Sequence, residues 1–372
     1  MKILVIGGGF SGMSAAIALR RSGHAVELVE IDPGWRSYGA GISLGGATLR
    51  AFRTLGVLDE FLKHGNASDG VDVHLPTGQK IATLPTPRVA GPDVPGGGAV
   101  MRPVLARILA DATRACGTEV HLGCTFEVIE QDAEGVEVAF DDGRRGRYDL
   151  VIGADGLNSK VRESVFPGAP VPRYLGQAVW RAVLPRPPEI DTATMWVGPR
   201  IKAGVNPVSR EEMYLFVTED RAVNERIDPA QFAPLLRGLL EGFPAPVVQR
   251  MREQLAAENA RIVFRPLEGL LMPLPWHRGR VQLIGDAVHA TAPHLASGAC
   301  IGIEDALVLA EELQRHASVA AACEAFEARR WERCRMVVEN SAQLSEIEIN
   351  GGDKELHQRI MRESLMALAQ PI

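Results

Sequence analysis

An α/β fold is predicted: a doubly wound domain built on a parallel sheet, with a second, β-rich domain inserted into it. Three observations predict it. A short apolar run at residues 2–6 meets a glycine-rich turn at 7–12 and a helical segment, and a second apolar run follows at Ala25–Val29. That is a βαβ unit of about 30 residues. Buried-strand runs return late, at Leu150–Ile152 and Val281–Ile284. Between them, from 174 to 266, strand-like segments alternate with prolines.

The elements follow in order. Ser14–Ser22 reads as a helix whose Ala15, Ala16, Ile17, Ala18 and Leu19 make a small apolar packing face, and Thr48–His64 reads as a second helix. Val71–Val100 alternates apolar and polar residues and is cut by five prolines (76, 85, 87, 92, 95), which predicts short strands and loops. Residues 103–115 return to helix. Val120–Phe140 has the alternation of a β-meander, with Asp142-Gly143 as a hairpin turn. Val179–Leu184, Thr194–Val197 and Met213–Val217 have strand chemistry, and Pro229–Glu258 reads as one or two helices. Ile303–Leu313 is helical, with Ile303, Ala306, Leu307, Ala310 and Leu313 on one face. Leu356, Ile360, Met361, Leu365 and Leu368 place a packing helix near the end. The expected division is 1–72, 98–173 and 267–350 for the nucleotide domain, 73–97 and 174–266 for the inserted domain, and 351–372 for a helical tail.

Composition narrows the function. The 372 residues carry a net charge of −6, which argues against nucleic acid as a partner. No apolar run approaches the roughly 20 residues of a membrane span, and the N-terminal run is too short for a signal peptide. The five cysteines (116, 124, 300, 323, 334) are odd in number and lack CxxC spacing. Neither a disulfide framework nor a metal site is expected, and the cytoplasm is the natural compartment.

Gly7-Gly8-Gly9-Phe10-Ser11-Gly12 fits G-x-G-x-x-G between a strand and a helix. Gly7 permits the tight turn, Gly9 lets backbone approach a pyrophosphate, and Gly12 permits close helix–strand contact. Phosphates are favoured at the helix N-terminus by free N–H groups and the dipole. Glu30 ends the second strand 18 residues after Gly12, the place of a carboxylate that bonds ribose hydroxyls. The motif points to an adenine dinucleotide and leaves NAD and FAD open.

Two later segments bear on that choice: Asp149-Leu-Val-Ile-Gly-Ala-Asp155-Gly156-Leu-Asn-Ser-Lys-Val-Arg162, and Gly285-Asp286-Ala-Val-His289-Ala-Thr-Ala-Pro293-His294-Leu-Ala-Ser-Gly298-Ala-Cys300. With these residues the chain resembles, over nearly its whole length, the p-hydroxybenzoate-hydroxylase-like, single-component FAD-dependent aromatic monooxygenases. The resemblance implies a Rossmann-like FAD/NAD(P)-binding domain with an inserted substrate domain. It implies FAD as cofactor, NADH or NADPH as electron donor, O2 as co-substrate and a small aromatic substrate. The flavin C4a-hydroperoxide would be the hydroxylating species. A monomer or homodimer is expected.

The resemblance also implies roles. Gly7, Gly9, Phe10, Ser11, Gly12, Glu30 and Arg36 would contact the dinucleotide, with Asp155 near the pyrophosphate and the nicotinamide donor's route. Arg102 matches the family's FAD-contacting arginine, and Asp286 would accept bonds from ribityl hydroxyls. Pro293, Gly298, Ala299 and Cys300 lie on the loop and helix start that would face the flavin pyrimidine. The family usually has Gly-Gln-Gly where this chain has Ala296-Ser297-Gly298. His294, following Pro293 in that loop, is the candidate catalytic base and a candidate substrate contact. Arg181, Lys202 and Tyr214 would line the substrate side, and either cation there would favour an anionic ring. The run Trp196–Phe216 loosely resembles FAD-dependent urate hydroxylases, which carry an acid where this chain has His294. Cys300 reads chiefly as a small packing residue, although a thiol at a helix start can also be activated. Two other readings keep the fold: a reductase or dehydrogenase without oxygen insertion, and a non-catalytic flavin-binding module.

Overall fold

The computed structural model describes residues 1–199, 201–257 and 260–372. Its main sheet runs in the order 277–278, 281–283, 150–153, 2–6, 25–30, 119–122, parallel apart from the edge hairpin 277–283. Ile3, Leu4, Val5, Leu28, Leu150, Val151 and Ile152 are fully buried, since layers cover the central strands on both faces.

The first helix spans Phe10–Arg21, four residues longer at its start than the sequence suggested. The glycine loop closes directly into it, with Gly9 as its cap residue. Its small face lets it pack closely against the helix Gly298–Arg315. The helix expected over 48–64 is two helices, Gly46–Leu55 and Leu58–His64, because Gly56 turns left-handed (φ +66°) between them. Residues 119–122 join the parallel sheet, so the meander is the three strands Phe126–Gln131, Val136–Phe140 and Arg145–Tyr148.

The second sheet has seven strands, in the order 261–269, 173–185, 212–220, 202–207, 193–197, 71–74, 80–84. One face buries Trp180, Trp196, Leu215 and Val217 against helices Phe232–Leu239 and Pro246–Gln254. These two helices occupy the segment read as 229–258, whose last residue lies outside the described ones. The other face turns toward the main domain. A small apolar cluster of Ala40, Ala99, Met101, Val208 and Tyr214 joins the two.

A 32-residue helix, Val319–Asn350, braces the main domain, and Lys354–Ala369 folds back on it. Its anchor is ionic. Asp305 takes His289 Nε2 at 2.6 Å on one oxygen and Arg330 Nε at 2.8 Å on the other, all three fully buried, while Gly285 N–H donates to Asp305 at 2.9 Å. Burial raises the Asp305 carboxyl, but His289 and Arg330 outweigh it and pull the carboxyl down to about 2. Asp305→Asn should therefore cost about 3–5 kcal/mol in urea unfolding at pH 7, because it strands the buried His289 cation and takes from Arg330 one of its two carboxylates. A depressed carboxylate stabilises above its unfolded pKa of about 3.9 and loses that contribution toward 2. The gap between wild type and variant should hold from pH 7 to about 4 and shrink below.

Candidate active site

The glycine loop forms an open cradle. A side-chain carbon on Gly7 would sit 2.4 Å from Ala154 O, and one on Gly12 would sit 1.9 Å from Gly7 O. These two glycines are required by packing. Gly9 differs: it is exposed, and a carbon there would meet nothing within 4 Å. No side chain caps this helix and its first turn has no acid, so its N–H groups remain available to an anion. Glu30 accepts Gly8 N–H at 2.6 Å and Asp32 N–H at 2.8 Å, so it shapes the loop. Ser11 points inward, packing on Gly285 and Gly302, which leaves only its backbone to face the cradle. Arg36 lies at the surface, paired with Asp32 at 3.1 Å.

The floor comes from three turns. Asp155 accepts Ser159 Oγ at 2.5 Å and Val161 N–H at 3.0 Å, so both its oxygens serve the helix start that follows. Asp286 opens the short helix Asp286–His289 after Gly285, whose φ of +63° and contact with Ser11 leave no room for a side chain. Its carboxylate is open to solvent although protein surrounds it, the signature of a cleft wall. Arg102 faces the same cleft, its guanidinium 5.1 Å above the Phe10 ring and attracted by Asp286.

Pro293 begins a single turn, and Gly298, Ala299 and Cys300 start the helix that ends at Arg315, again with no side-chain cap. Cys300 is buried, and that burial pushes its thiol well up, which removes the activated-thiol reading and leaves packing. Ala296 sits left-handed (φ +49°, ψ +31°), the conformation a glycine adopts freely, and glycine is the residue the family pattern has there. Ala296→Gly should thus raise stability by about 0.5–1 kcal/mol in thermal unfolding, since the relieved strain of about 1–2 kcal/mol exceeds the entropic cost of glycine.

Strand register builds the roof. Arg181 pairs with Phe216 and Val263, Val179 with Arg265, Asn206 with Tyr214, and Gly204 with Phe216. Paired residues share a face, and the face repeats every second residue. Arg181, Lys202 and Tyr214 are therefore brought onto one face, together with Asn206, Phe216 and Arg265, which the sequence reading missed. Tyr214 lies against Gly41, and its hydroxyl makes a short hydrogen bond with Ser43 Oγ; burial pushes that hydroxyl up. Arg181 is half-buried and has no hydrogen-bond or ion-pair partner among the described residues. Lys202 is neutralised: its Nζ lies 2.5 Å from Glu348 Oε1. Glu348 also holds His357 Nε2 at 2.9 Å and lies 3.4 Å from His294 Nε2. No sequence motif marks Glu348 or His357; only the return of the C-terminal helices brings them here.

Fold and site together define a dinucleotide-binding enzyme scaffold with a polar cleft between a glycine-loop floor and a β-sheet roof. A family model described as "FAD binding domain" matches residues 1–341. The chain is 31% identical over 358 residues to the putative FAD-dependent monooxygenase YetM of Bacillus subtilis, covering 95% of this chain and 96% of that one. It is 32% identical over 356 residues to 6-hydroxynicotinate 3-monooxygenase of Bordetella bronchiseptica, covering 90% and 89%. Among solved structures, Klebsiella pneumoniae HpxO complexed with FAD and uric acid superposes with a TM-score of 0.82 at 27% identity, covering 100% of this chain and 93% of that one. The chain belongs to this FAD-binding family, and it is an FAD-dependent monooxygenase of the aromatic hydroxylase type. That decides between FAD and NAD, and against the reductase and the non-catalytic module. No helix among the described residues is long and apolar enough to cross a membrane.

Proposed function

We propose that the enzyme draws electrons from NADH or NADPH and hydroxylates a small heteroaromatic compound that binds as an anion. The observation that carries the anionic substrate is Arg181, a desolvated guanidinium on the roof with no counter-charge among the described residues. A partly desolvated cation without a partner is costly, so such a group favours a ligand that completes the pair. The relatives' names support the heteroaromatic class: 6-hydroxynicotinate and urate are both nitrogen heterocycles.

The residues present fit FAD. Gly9 leaves space for phosphates at an uncapped helix end, Glu30 stands where a ribose would lie, and Arg102 and Asp286 offer a cation and an acceptor inside the cleft. Gly298 and Ala299 would offer backbone N–H groups to the ring. Bound FAD would supply the electrons that activate dioxygen, and the oxygen atom transferred would come from O2. The protein's part is to hold the substrate by Arg181, position its ring under Tyr214 and Phe216, and keep water out. His294 would take a substrate proton, since an ionised ring is the better nucleophile.

All five cysteines are free, four of them buried, which agrees with a reducing cytoplasm. We place the enzyme there as a monomer or homodimer. The test is the visible spectrum of the purified protein, then NADH and NADPH oxidation with pyridine, purine and quinolone carboxylates. A flavin spectrum with one anionic compound that accelerates oxidation supports the reading. Acceleration by neutral compounds only would remove the anionic substrate.

A further inference from the structure

We propose that Glu348, on the C-terminal long helix, is a positioning residue that makes His294 a competent base for substrate ionisation. The assignment rests on the hydroxylase reading above. Three separate elements converge on one carboxylate: Lys202 from the roof strand at 2.5 Å, His357 from the last helix at 2.9 Å, and His294 from the loop before the helix at 298–315 at 3.4 Å. The His294 side chain is 2% exposed; its Nδ1 has no partner among the described residues, and its Nε2 has only the Glu348 carboxylate at 3.4 Å. Buried polar atoms are normally satisfied, so the unpartnered Nδ1 marks a place where something binds.

The chemistry follows from the arrangement. Burial lowers the His294 pKa, so the ring is neutral at pH 7 and keeps a lone pair. A substrate O–H or N–H gives its proton to Nδ1, leaving the substrate as its conjugate anion and the ring as an imidazolium with Nε2–H toward Glu348. Glu348 does not take that proton. Burial raises its carboxyl, but His294, His357 and Lys202 outweigh burial and hold it ionised well below the usual range. A carboxylate fixed in this way orients the ring and stabilises the cation that forms on it. The proton returns to the product when it leaves. Lys202 and His357 lock the carboxylate in place, which explains why a cation on the roof face is neutralised while Arg181 is left free.

The charges around His294 give variants of opposite sign. Glu348→Gln removes the anion and leaves Lys202 uncompensated, so the His294 pKa should fall by about one unit or more. Lys202→Met removes the cation and should raise it. The readout is the titration of nitrogen-labelled histidines by NMR in the FAD-loaded enzyme, with His294→Gln to assign the resonance. This needs no turnover. In turnover, Glu348→Gln should lower kcat about tenfold at pH 7 with KM nearly unchanged, and move the acid limb of the pH profile downward. Glu348→Asp should restore part of both. Shifts of opposite sign establish the assignment. A His294 titration that moves in neither variant overturns it, even where hydroxylation is confirmed. Opposite shifts without any hydroxylated product would keep the electrostatic pair but overturn its role in this reaction.

Discussion

Gly9→Val should yield a folded protein that purifies colourless. Gly9 has extended backbone (φ −73°, ψ −177°), which any residue adopts, and no protein atom lies within 4 Å of a carbon built there. The valine therefore costs the protein little, within about 1 kcal/mol of the wild-type apoprotein. What it fills is the space above the uncapped helix end, which the proposed pyrophosphate needs. FAD affinity should fall more than a hundredfold, about 2.7 kcal/mol. Gly12→Val is the control with the opposite character. Its side chain would collide with the Gly7 carbonyl at 1.9 Å, inside the fold. That overpacking should cost several kcal/mol whether or not FAD is present. Fluorescence titration with FAD and thermal unfolding of both apoproteins separate the two. Gly9→Val retaining wild-type FAD affinity would show that the phosphates lie elsewhere.

Arg181→Met should weaken substrate binding ten- to a hundredfold while FAD is retained. A charge-assisted hydrogen bond of about 1.5–3 kcal/mol is lost, which corresponds to that range. The same variant should make the unliganded protein more stable, because it removes a desolvated cation that has no partner among the described residues. Stability gained as binding is lost is the mark of a site residue rather than a structural one. Lys202→Met should change affinity far less, since Glu348 already satisfies that cation. Substrate titration and urea unfolding check both variants. An arginine variant that loses FAD and keeps substrate would reassign Arg181 to the cofactor.

The sequence carried the main domain well, because buried parallel strands are short apolar runs and the glycine loop has a fixed spacing. It also named Arg181, Lys202 and Tyr214, which the structure brings onto one sheet face. Their shared face depends on register, which a single strand's pattern does not contain. The long helix 319–350 was missed for a physical reason: its buried side includes Glu327, Arg330, Ser341 and Ser345, so it lacks a clean apolar stripe. Arg330 is buried because the neighbouring helix offers it Asp305 and Glu304, Glu327 because it accepts from Trp276 N–H, and Ser345 because it bonds Gln177 of the second sheet. Glu348 was invisible for the same reason, as its partners lie on three other elements. Ala296 is the reverse case. As a sequence it departs from the family's glycine, yet the backbone keeps the glycine conformation.

The central claim is that this chain inserts oxygen into an anionic heteroaromatic ring. The most direct test is the mass of the product formed from the compound that best accelerates NAD(P)H oxidation, with isotopically heavy dioxygen as the only oxidant. The account predicts a product carrying one heavy oxygen atom, formed by wild type and strongly reduced in Arg181→Met. NAD(P)H consumed to hydrogen peroxide, with every ring compound recovered unchanged, would contradict it.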